Sequence, residues 1–404
     1  MHHDSNDVCG DVAVVNTCGF IGDAKEESIE MILSLIEAKK ENRIGKLYVM
    51  GCLSERYRKE LQEELPEVDG FFGKFDWNKI IDTLPDYSRS ASRPQAWERI
   101  LTDNDYSAYI KISEGCNRFC AYCAIPLITG RHTSRPIEEI LAEVTRLVAE
   151  GVKEFNVIAQ DLSAYGTDLY GRSALAELID RMADIGGVEW IRLHYAYPVD
   201  FPYDVLKVMQ RRENVCNYLD IALQHISDKV LSNMRRHIGK KETLELISRI
   251  RKEVPDIKLR TTLMTGFPGE GESEFEELMN FVESARFDRL GAFAYSEEEG
   301  TFGAKNFKDS IPQEIKEQRR DKILALQNKI ASELNEKLIG RKVKVLVDRI
   351  EDNQMIGRTE WDSPEVDNEV IIPFEPFETP AEPGQFIDVE ITEAYDYELK
   401  AKKL

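Results

Sequence analysis

Between Tyr109 and Tyr295 the sequence alternates short apolar runs with helical stretches, and no other feature limits the folds open to this chain so strongly. Candidate strands are Tyr109–Ile112, Phe155–Ala159, Trp190–Tyr195, Tyr218–Leu223, Leu259–Met264 and Leu290–Tyr295. Stretches with apolar residues at helical spacing lie between them, among them Ile137–Glu150, Lys241–Glu253 and Ser273–Ala285. Strands separated by helices build parallel sheets, because a parallel return needs a crossover. Six repeats fall short of the eight of a closed barrel, so an open, partial (βα)6 TIM-like barrel is expected.

The flanks read differently. Residues 11–16 form a short buried strand, Ala24–Lys40 carries helical spacing at Ile29, Ile32, Leu33 and Ile36, and Lys46–Met50 is a second strand. That is a βαβ, Rossmann-like pattern. Asp86–Asp105 is rich in Ser, Arg, Pro and Asp and reads as a linker. Pro312–Leu338 reads as one long helix with proline in its first turn. From Arg341 the pattern changes to short strands, Val343–Val347, Val370–Ile372 and Ile387–Ile391, split by turns. The expected division is an N-terminal domain over 1–86, a linker over 87–106, the barrel with its trailing helix over 107–338 and a small all-β domain over 339–404.

Seven cysteines, at 9, 18, 52, 116, 120, 123 and 216, are odd in number and unevenly spaced. That argues for metal or redox chemistry and against a disulfide framework. Three of them form the run Cys116-x3-Cys120-x2-Cys123, directly after the first barrel strand. Three thiolates from one loop suit three irons of a [4Fe–4S] cube and leave the fourth open to the amino and carboxylate groups of S-adenosylmethionine. A structural zinc site would call for four ligands from paired Cys-x2-Cys units. With Tyr122 before the last cysteine, the run resembles that of the radical-SAM superfamily. Cys18, in Asn16-Thr17-Cys18-Gly19, and Cys52, in Gly51-Cys52-Leu53, each follow an N-terminal strand. Cys9 falls just before the first strand and reads as an ordinary thiol, with ligation of a cluster as its alternative, and Cys216 reads as a structural thiol.

The Asn-Thr-Cys-Gly-Phe-Ile and Gly-Cys-Leu-Ser runs resemble those of the methylthiotransferase family, and the likeness covers nearly the whole chain. It implies an N-terminal domain with an auxiliary [4Fe–4S] cluster, a radical-SAM domain and a C-terminal β-rich TRAM domain. The metal ligands it implies are Cys116, Cys120 and Cys123 for one cluster and Cys18 and Cys52 for the other. In the family a third auxiliary cysteine lies well before the Asn-Thr-Cys motif, whereas 17 residues precede Cys18 here. Either the sequence starts late, or the auxiliary cluster is ligated differently. Strand-end residues that match the family pattern, Gln160, Asp161, His194, Tyr195, Gln224, Gly266 and Tyr295, are the candidates to hold S-adenosylmethionine. Gly266 and Gly269 would allow close backbone approach to a ligand. Arg131, His132 and Arg135 follow the cluster loop and either pair with a carboxylate or lie on the surface.

The family divides into enzymes that act on tRNA adenosine and enzymes that act on an aspartate of small-subunit ribosomal protein S-twelve. The formal charge of the chain is −21, and residues 339–404 carry eight basic and sixteen acidic side chains. Such a domain repels phosphates and suits a basic protein. The Ala24-Lys25-Glu26-Glu27-Ser28 continuation, Gln160-Asp161 with Tyr165-Gly166, and Gly357–Asp367 also resemble the ribosomal-protein branch. The resemblance implies hydrogen abstraction at the aspartate β-carbon, coupling to sulfur on the auxiliary cluster and methylation from a second S-adenosylmethionine. It also implies an electron donor such as flavodoxin. A tRNA enzyme, or a catalytically impaired iron–sulfur protein that binds ribosomes, are the alternatives. No apolar run reaches the roughly 18 residues of a membrane span, and Met1–Asp4 does not begin a signal peptide. A cytoplasmic monomer with no membrane partner is expected.

Overall fold

The structure, a computed structural model, describes residues 8–19, 22–74, 76–83, 99–102 and 104–404. Most of the linker expected over 87–106, and the Phe20-Ile21 part of the first cysteine motif, lie outside the described residues.

In chain order the elements begin with β1 (Gly10–Thr17), α1 (Gly22–Lys40), β2 (Ile44–Gly51), α2 (Cys52–Arg56), α3 (Arg58–Glu64), β3 (Gly70–Phe71) and α4 (Trp77–Thr83). Next come β4 (Ser107–Lys111), β5 (Ser113–Glu114), α5 (Ile125–Thr129), β6 (Thr133–Ser134), α6 (Ile137–Ala149), β7 (Glu154–Ile158), α7 (Leu175–Ala183) and β8 (Trp190–Ala196). They continue with α8 (Asp204–Arg211), β9 (Val215–Gln224), α9 (Asp228–Asn233), α10 (Lys240–Glu253), β10 (Lys258–Thr265), α11 (Glu272–Ala285), β11 (Arg289–Ala294), α12 (Phe302–Asn306) and α13 (Gln313–Glu336). The last five strands are β12 (Lys342–Glu351), β13 (Gln354–Thr359), β14 (Glu369–Pro373), β15 (Phe386–Ala394) and β16 (Glu398–Lys403).

These elements gather into two compact units. The first comprises residues 1–102, 115–131 and 296–306. Its sheet has the order β1-β2-β3, all parallel, with Thr17 opposite Gly51 at the carboxyl ends. Ile32, Leu35 and Ile36 of α1 pack with Val15, Leu47 and Val49 of the sheet at helical spacing, whereas Ile29 and Leu33, expected on the same stripe, are exposed and Leu35 takes their place.

The second unit comprises residues 103–114, 132–295 and 307–404. Its main sheet is wholly parallel, in the order β4-β7-β8-β9-β10-β11, and its two edge strands do not pair with each other. The six expected strands are all present, displaced by up to three residues at their ends. Helices alternate with them: α6 buries Ile137, Ile140, Val144 and Leu147 and carries Glu138 and Glu139 in its first turn, where the helix dipole favours acids.

Residues 342–403 form a closed five-stranded barrel, β12-β13-β14-β16-β15. The alternation in β13 and β16 was not read from the sequence, and these two strands complete the closure. This barrel caps the amino end of the parallel sheet with buried ionic ties. Arg358 donates to both oxygens of Glu154 at 3.0 and 2.9 Å, and Arg192 also reaches Glu154. Arg289 pairs with Asp362 at 2.6 Å, and Arg260 with Asp367 at 2.5 Å. The Gly357–Asp367 segment thus serves first as the dock between barrel and sheet.

Candidate iron–sulfur and cofactor sites

The three-cysteine loop leaves β5 and returns through β6, whose antiparallel pairing sets Ser113 opposite Ser134. Gly115 pinches the base of the loop. Its φ is +74°, and a Cβ there would stand 2.2 Å from the Arg131 carbonyl oxygen and 2.7 Å from that of Gly130. Cys116 N–H donates to Gly130 O at 3.3 Å and closes the pinch. Phe119 adopts a left-handed φ of 48°, which turns the chain between Cys116 and Cys120. Cys116 and Cys120 are buried and Cys123 is half-buried, and the Arg118 amide donates to Cys116 Sγ at 3.5 Å.

The donor set suits an iron–sulfur cube, with three cysteines on one loop and the Arg118 amide donating to one of the sulfurs. In a [4Fe–4S] cube each iron takes one thiolate, so the sulfurs stand apart rather than meeting at a point. An amide N–H aimed at a cysteine sulfur is the kind of contact that stabilises a cluster thiolate.

Cys18 and Cys52 follow the paired residues Thr17 and Gly51, so the parallel register brings them to neighbouring strand ends. Two glycines interlock the turns that carry them. A Cβ on Gly51 (φ +105°) would meet Thr17 O at 2.5 Å, and one on Gly19 would meet Leu53 N at 2.6 Å. Thr17 Oγ1 donates to Met50 O at 2.6 Å across the strand ends, and the Cys18 amide donates to Ser28 Oγ at 3.0 Å. Arg56 donates to Gly19 O at 3.2 Å and pairs with the buried Glu298 at 3.1 Å, which Lys25 also reaches at 2.9 Å. The Gly303 amide donates to Ala121 O, between Cys120 and Tyr122, at 2.6 Å. All five candidate ligands therefore belong to one compact unit. Cys9 precedes β1 at the opposite end, about 30 Å from Cys18 at ~3.3 Å per strand residue, and cannot share its site. Cys216 is a buried thiol inside β9 whose pKa is pushed up to about 12 by burial, partly offset by Arg192. It does not precede the strand, as the sequence suggested, and its protonated thiol suits packing rather than ligation.

At the carboxyl ends of the main sheet, two non-glycine residues hold left-handed backbone. Tyr195 has φ 64° and Gln224 φ 70°, each where the strand register shifts. Such bulges re-aim a side chain at a cost of order 1–3 kcal/mol and concentrate at functional sites. Tyr195 is 55% exposed, and its amide donates to the buried carboxylate of Asp220. Asp220 was not singled out from the sequence. Its pKa rises to about 6, chiefly because it is buried, although Arg260 opposes the rise. Gln160 is half-buried and donates to Glu114 at 3.4 Å, and Asp161 beside it is buried. His194 lies deeper. Its Nε2 is 3.3 Å from Asn156 Oδ1, and burial, with Arg192 adding to it, lowers its pKa to about 3, so the ring is neutral.

Gly266, Gly269 and Tyr295 each have protein side chains as near neighbours. The space above Gly266 (φ +76°) is taken by Lys316, whose Cγ would lie 2.1 Å from a Cβ, and that above Gly269 by Asn233. Side chains fill the space a Cβ would take at both positions. The Tyr295 ring is buried edge-on against Phe267 at 4.9 Å, with the Lys316 ammonium 5.0 Å from its centroid. Arg135 is held by Glu139, Glu143 and the Lys111 carbonyl, and His132 is buried beside Ser134, whereas Arg131 is exposed.

Comparison with known proteins matches residues 110–282 to the radical SAM superfamily, 339–403 to the TRAM domain and 2–73 to the uncharacterized protein family UPF0004. The chain is 58% identical over 402 residues to a ribosomal protein uS12 methylthiotransferase RimO of Phocaeicola vulgatus, covering 100% of this chain and 92% of the relative. It is 56% identical to the protein of that name from Porphyromonas gingivalis over 404 residues, with the same coverages. The counterpart from Christiangramia forsetii is 48% identical, covering 98% of this chain and 86% of the relative. Among solved structures, a radical S-adenosylmethionine methyltransferase from Kitasatospora setae aligns with a TM-score of 0.51 at 14% identity. That alignment covers 64% of this chain and 57% of the other, a likeness of fold alone.

Proposed function

The chain belongs to the RimO family of ribosomal protein uS12 methylthiotransferases, and from that premise we propose that it transfers a methylthio group to the β-carbon of an aspartate in uS12. The pinched loop of Cys116, Cys120 and Cys123, with an amide aimed at one sulfur, is the observation that carries the reading. A [4Fe–4S] cluster on those thiolates supplies, when bound, the electron that splits the sulfonium bond of S-adenosylmethionine.

The residues of the chain do the rest. Gly115 holds the loop closed so that three thiolates face one group. Cys18 and Cys52, set side by side by the β1–β2 register, hold the auxiliary cluster. Gln160, Asp161, Tyr195 and Gln224 take the polar parts of S-adenosylmethionine, with left-handed backbone presenting the last two. His194, neutral and deep, offers a hydrogen bond rather than a charge, and Gly266 and Tyr295, which directly follow β10 and β11, complete the cofactor set. The partition into domains at 1–86, 107–338 and 339–404, an electron donor such as flavodoxin, and a cytoplasmic monomer complete the proposal. Among the described residues no helix is long and apolar enough to cross a membrane.

The test is anaerobic reconstitution with iron and sulfide counted per chain, 5′-deoxyadenosine measured, and the mass of uS12 followed. About eight irons falling to about four in Cys116→Ala/Cys120→Ala/Cys123→Ala is expected, at four per cube, with no deoxyadenosine formed. Wild-type protein that cleaves S-adenosylmethionine but leaves the mass of uS12 unchanged would overturn the assignment.

A further inference from the structure

The β14–β15 connection, residues 374–385, contains no Lys or Arg and three exposed glutamates, Glu375, Glu378 and Glu382. At its tip Phe377 is 84% exposed. A phenyl ring left in water forgoes the stabilisation of burial, and here nothing in the loop covers it. The loop is nonetheless built rather than slack. Pro373, Pro376, Pro380 and Pro383 fix φ along it. The Glu378 amide donates to Glu375 O at 2.9 Å, and the Glu375 amide to the Glu378 carboxylate at 3.0 Å. Its leading end is tied by the Phe374 amide to Asn353 O at 3.1 Å. Its trailing end is tied by the Gly384 amide to Val347 O at 2.8 Å, and Lys153 Nζ donates to Gly384 O at 2.7 Å. Gly384 lies so close to Tyr106 that a Cβ would come within 2.8 Å of its Cβ.

A rigid aromatic ringed by carboxylates has the composition of an interface anchor, because little ordering entropy is lost when it docks. The three exposed carboxylates, with no Lys or Arg in the loop's own sequence, repel phosphate backbones and favour Lys- or Arg-rich protein. Two other carboxylates of this domain, Asp362 and Asp367, are engaged inside, on Arg289 and Arg260. Position narrows the partner further. Tyr106 immediately precedes β4, so the loop is rooted at the amino end of the main sheet. The strand carboxyl ends lie about 17 Å further along, at ~3.3 Å per residue.

We infer that the Phe377 tip is an exosite for the body of the basic ribosomal protein substrate, remote from the residue modified. The inference rests on the proposed function. A tetrapeptide centred on the target aspartate, at most ~14 Å long when fully extended, cannot reach both places, whereas whole uS12 can. The experiment is affinity, measured by fluorescence anisotropy on the reconstituted enzyme, for whole uS12 and for that tetrapeptide. Phe377→Ser should weaken whole uS12 about tenfold or more and leave the peptide within about twofold. Glu375→Gln/Glu378→Gln/Glu382→Gln should weaken whole uS12 and flatten its salt dependence. Iron content and melting temperature should not change in either variant, because these side chains are exposed. Unaltered binding of whole uS12, equal loss for protein and peptide, or a loss seen only for small-subunit RNA would each overturn the exosite. If the wild-type enzyme adds no methylthio group to uS12, the proposed function fails and the exosite falls with it; if it does so and Phe377→Ser binds whole uS12 normally, the exosite alone fails.

Discussion

Replacing Glu154 by glutamine removes the charge on which the dock between the parallel sheet and the small barrel depends. The Glu154 side chain is fully buried, as is that of Arg192, and Arg358 is nearly so. The carboxylate accepts two hydrogen bonds from Arg358, one from Arg192 and one from Ser107 at 2.7 Å. Glutamine keeps the shape and one acceptor but leaves Arg192 without a carboxylate partner and Arg358 with Asp348 alone. An uncompensated buried charge costs about 3–5 kcal/mol, and that is the expected loss for Glu154→Gln. Urea unfolding followed by tryptophan fluorescence measures it, since Arg192 lies over the Trp190 ring at 5.6 Å. Replacing all three partners by leucine or methionine should cost less than Glu154→Gln, because the desolvation of all three charges disappears with them. The pH dependence gives a second check. Burial pushes the Glu154 pKa up, but Arg358 and Arg192 more than reverse it and hold the carboxyl well below its ordinary value. A depressed carboxyl contributes stability above its unfolded pKa and loses it only as pH falls through the folded one. The difference between wild type and variant should therefore stay level from neutral pH to about 5 and shrink only in stronger acid. A loss under about 1 kcal/mol would refute the reasoning and mark the cluster as solvated.

Gly51→Ala places a methyl against Thr17 backbone at a φ of +105°, so it should cost at least about 2 kcal/mol and lower iron bound at Cys18 and Cys52, read by iron count, while deoxyadenosine production persists. Asp220→Asn tests the carboxyl beneath Tyr195. Its folded pKa of about 6 against an ordinary 3.8 means the ionised form is disfavoured on folding by about 3 kcal/mol. Wild-type stability should therefore fall relative to the variant as pH rises from about 4 to about 6, and parallel curves across that window would contradict it. Folded protein should label at the exposed Cys9 and not at Cys216, whose thiol is buried and protonated. Modification of Cys216 before unfolding would contradict that placement.

Much of the fold was legible from period alone. The apolar runs from Tyr109 to Tyr295 and the helical spacing between them found six strands, because strands buried under helices must be apolar whatever their neighbours. The Cys116–Cys123 spacing marked the cluster loop, since three ligands on one loop are a local property. The Asn-Thr-Cys and Gly-Cys runs were legible as strand ends for the same reason. The edges of the small barrel were not. In β13 and β16, side chains such as Arg358 and Lys402 read as polar turn or tail, and only closure of the barrel makes them strands.

What the sequence could not contain is the company each residue keeps. Glu154, Arg260 and Arg289 read as ordinary charges in or beside apolar runs, yet the fold pairs them with Arg358, Asp367 and Asp362 from more than 70 residues away. Gly266 reads the same whether a ligand or Lys316 lies above it, and the crossing of α13 decided for Lys316. Cys18 and Cys52 are 34 residues apart in the chain, and the β1–β2 register made them neighbours. Local spacing fixes which atoms a segment offers, because it depends only on covalent geometry and on the 2.0 and 3.6 periods. Partners distant in sequence are chosen by burial, and only the folded chain sets the desolvation and the opposing charges that give those atoms their chemistry.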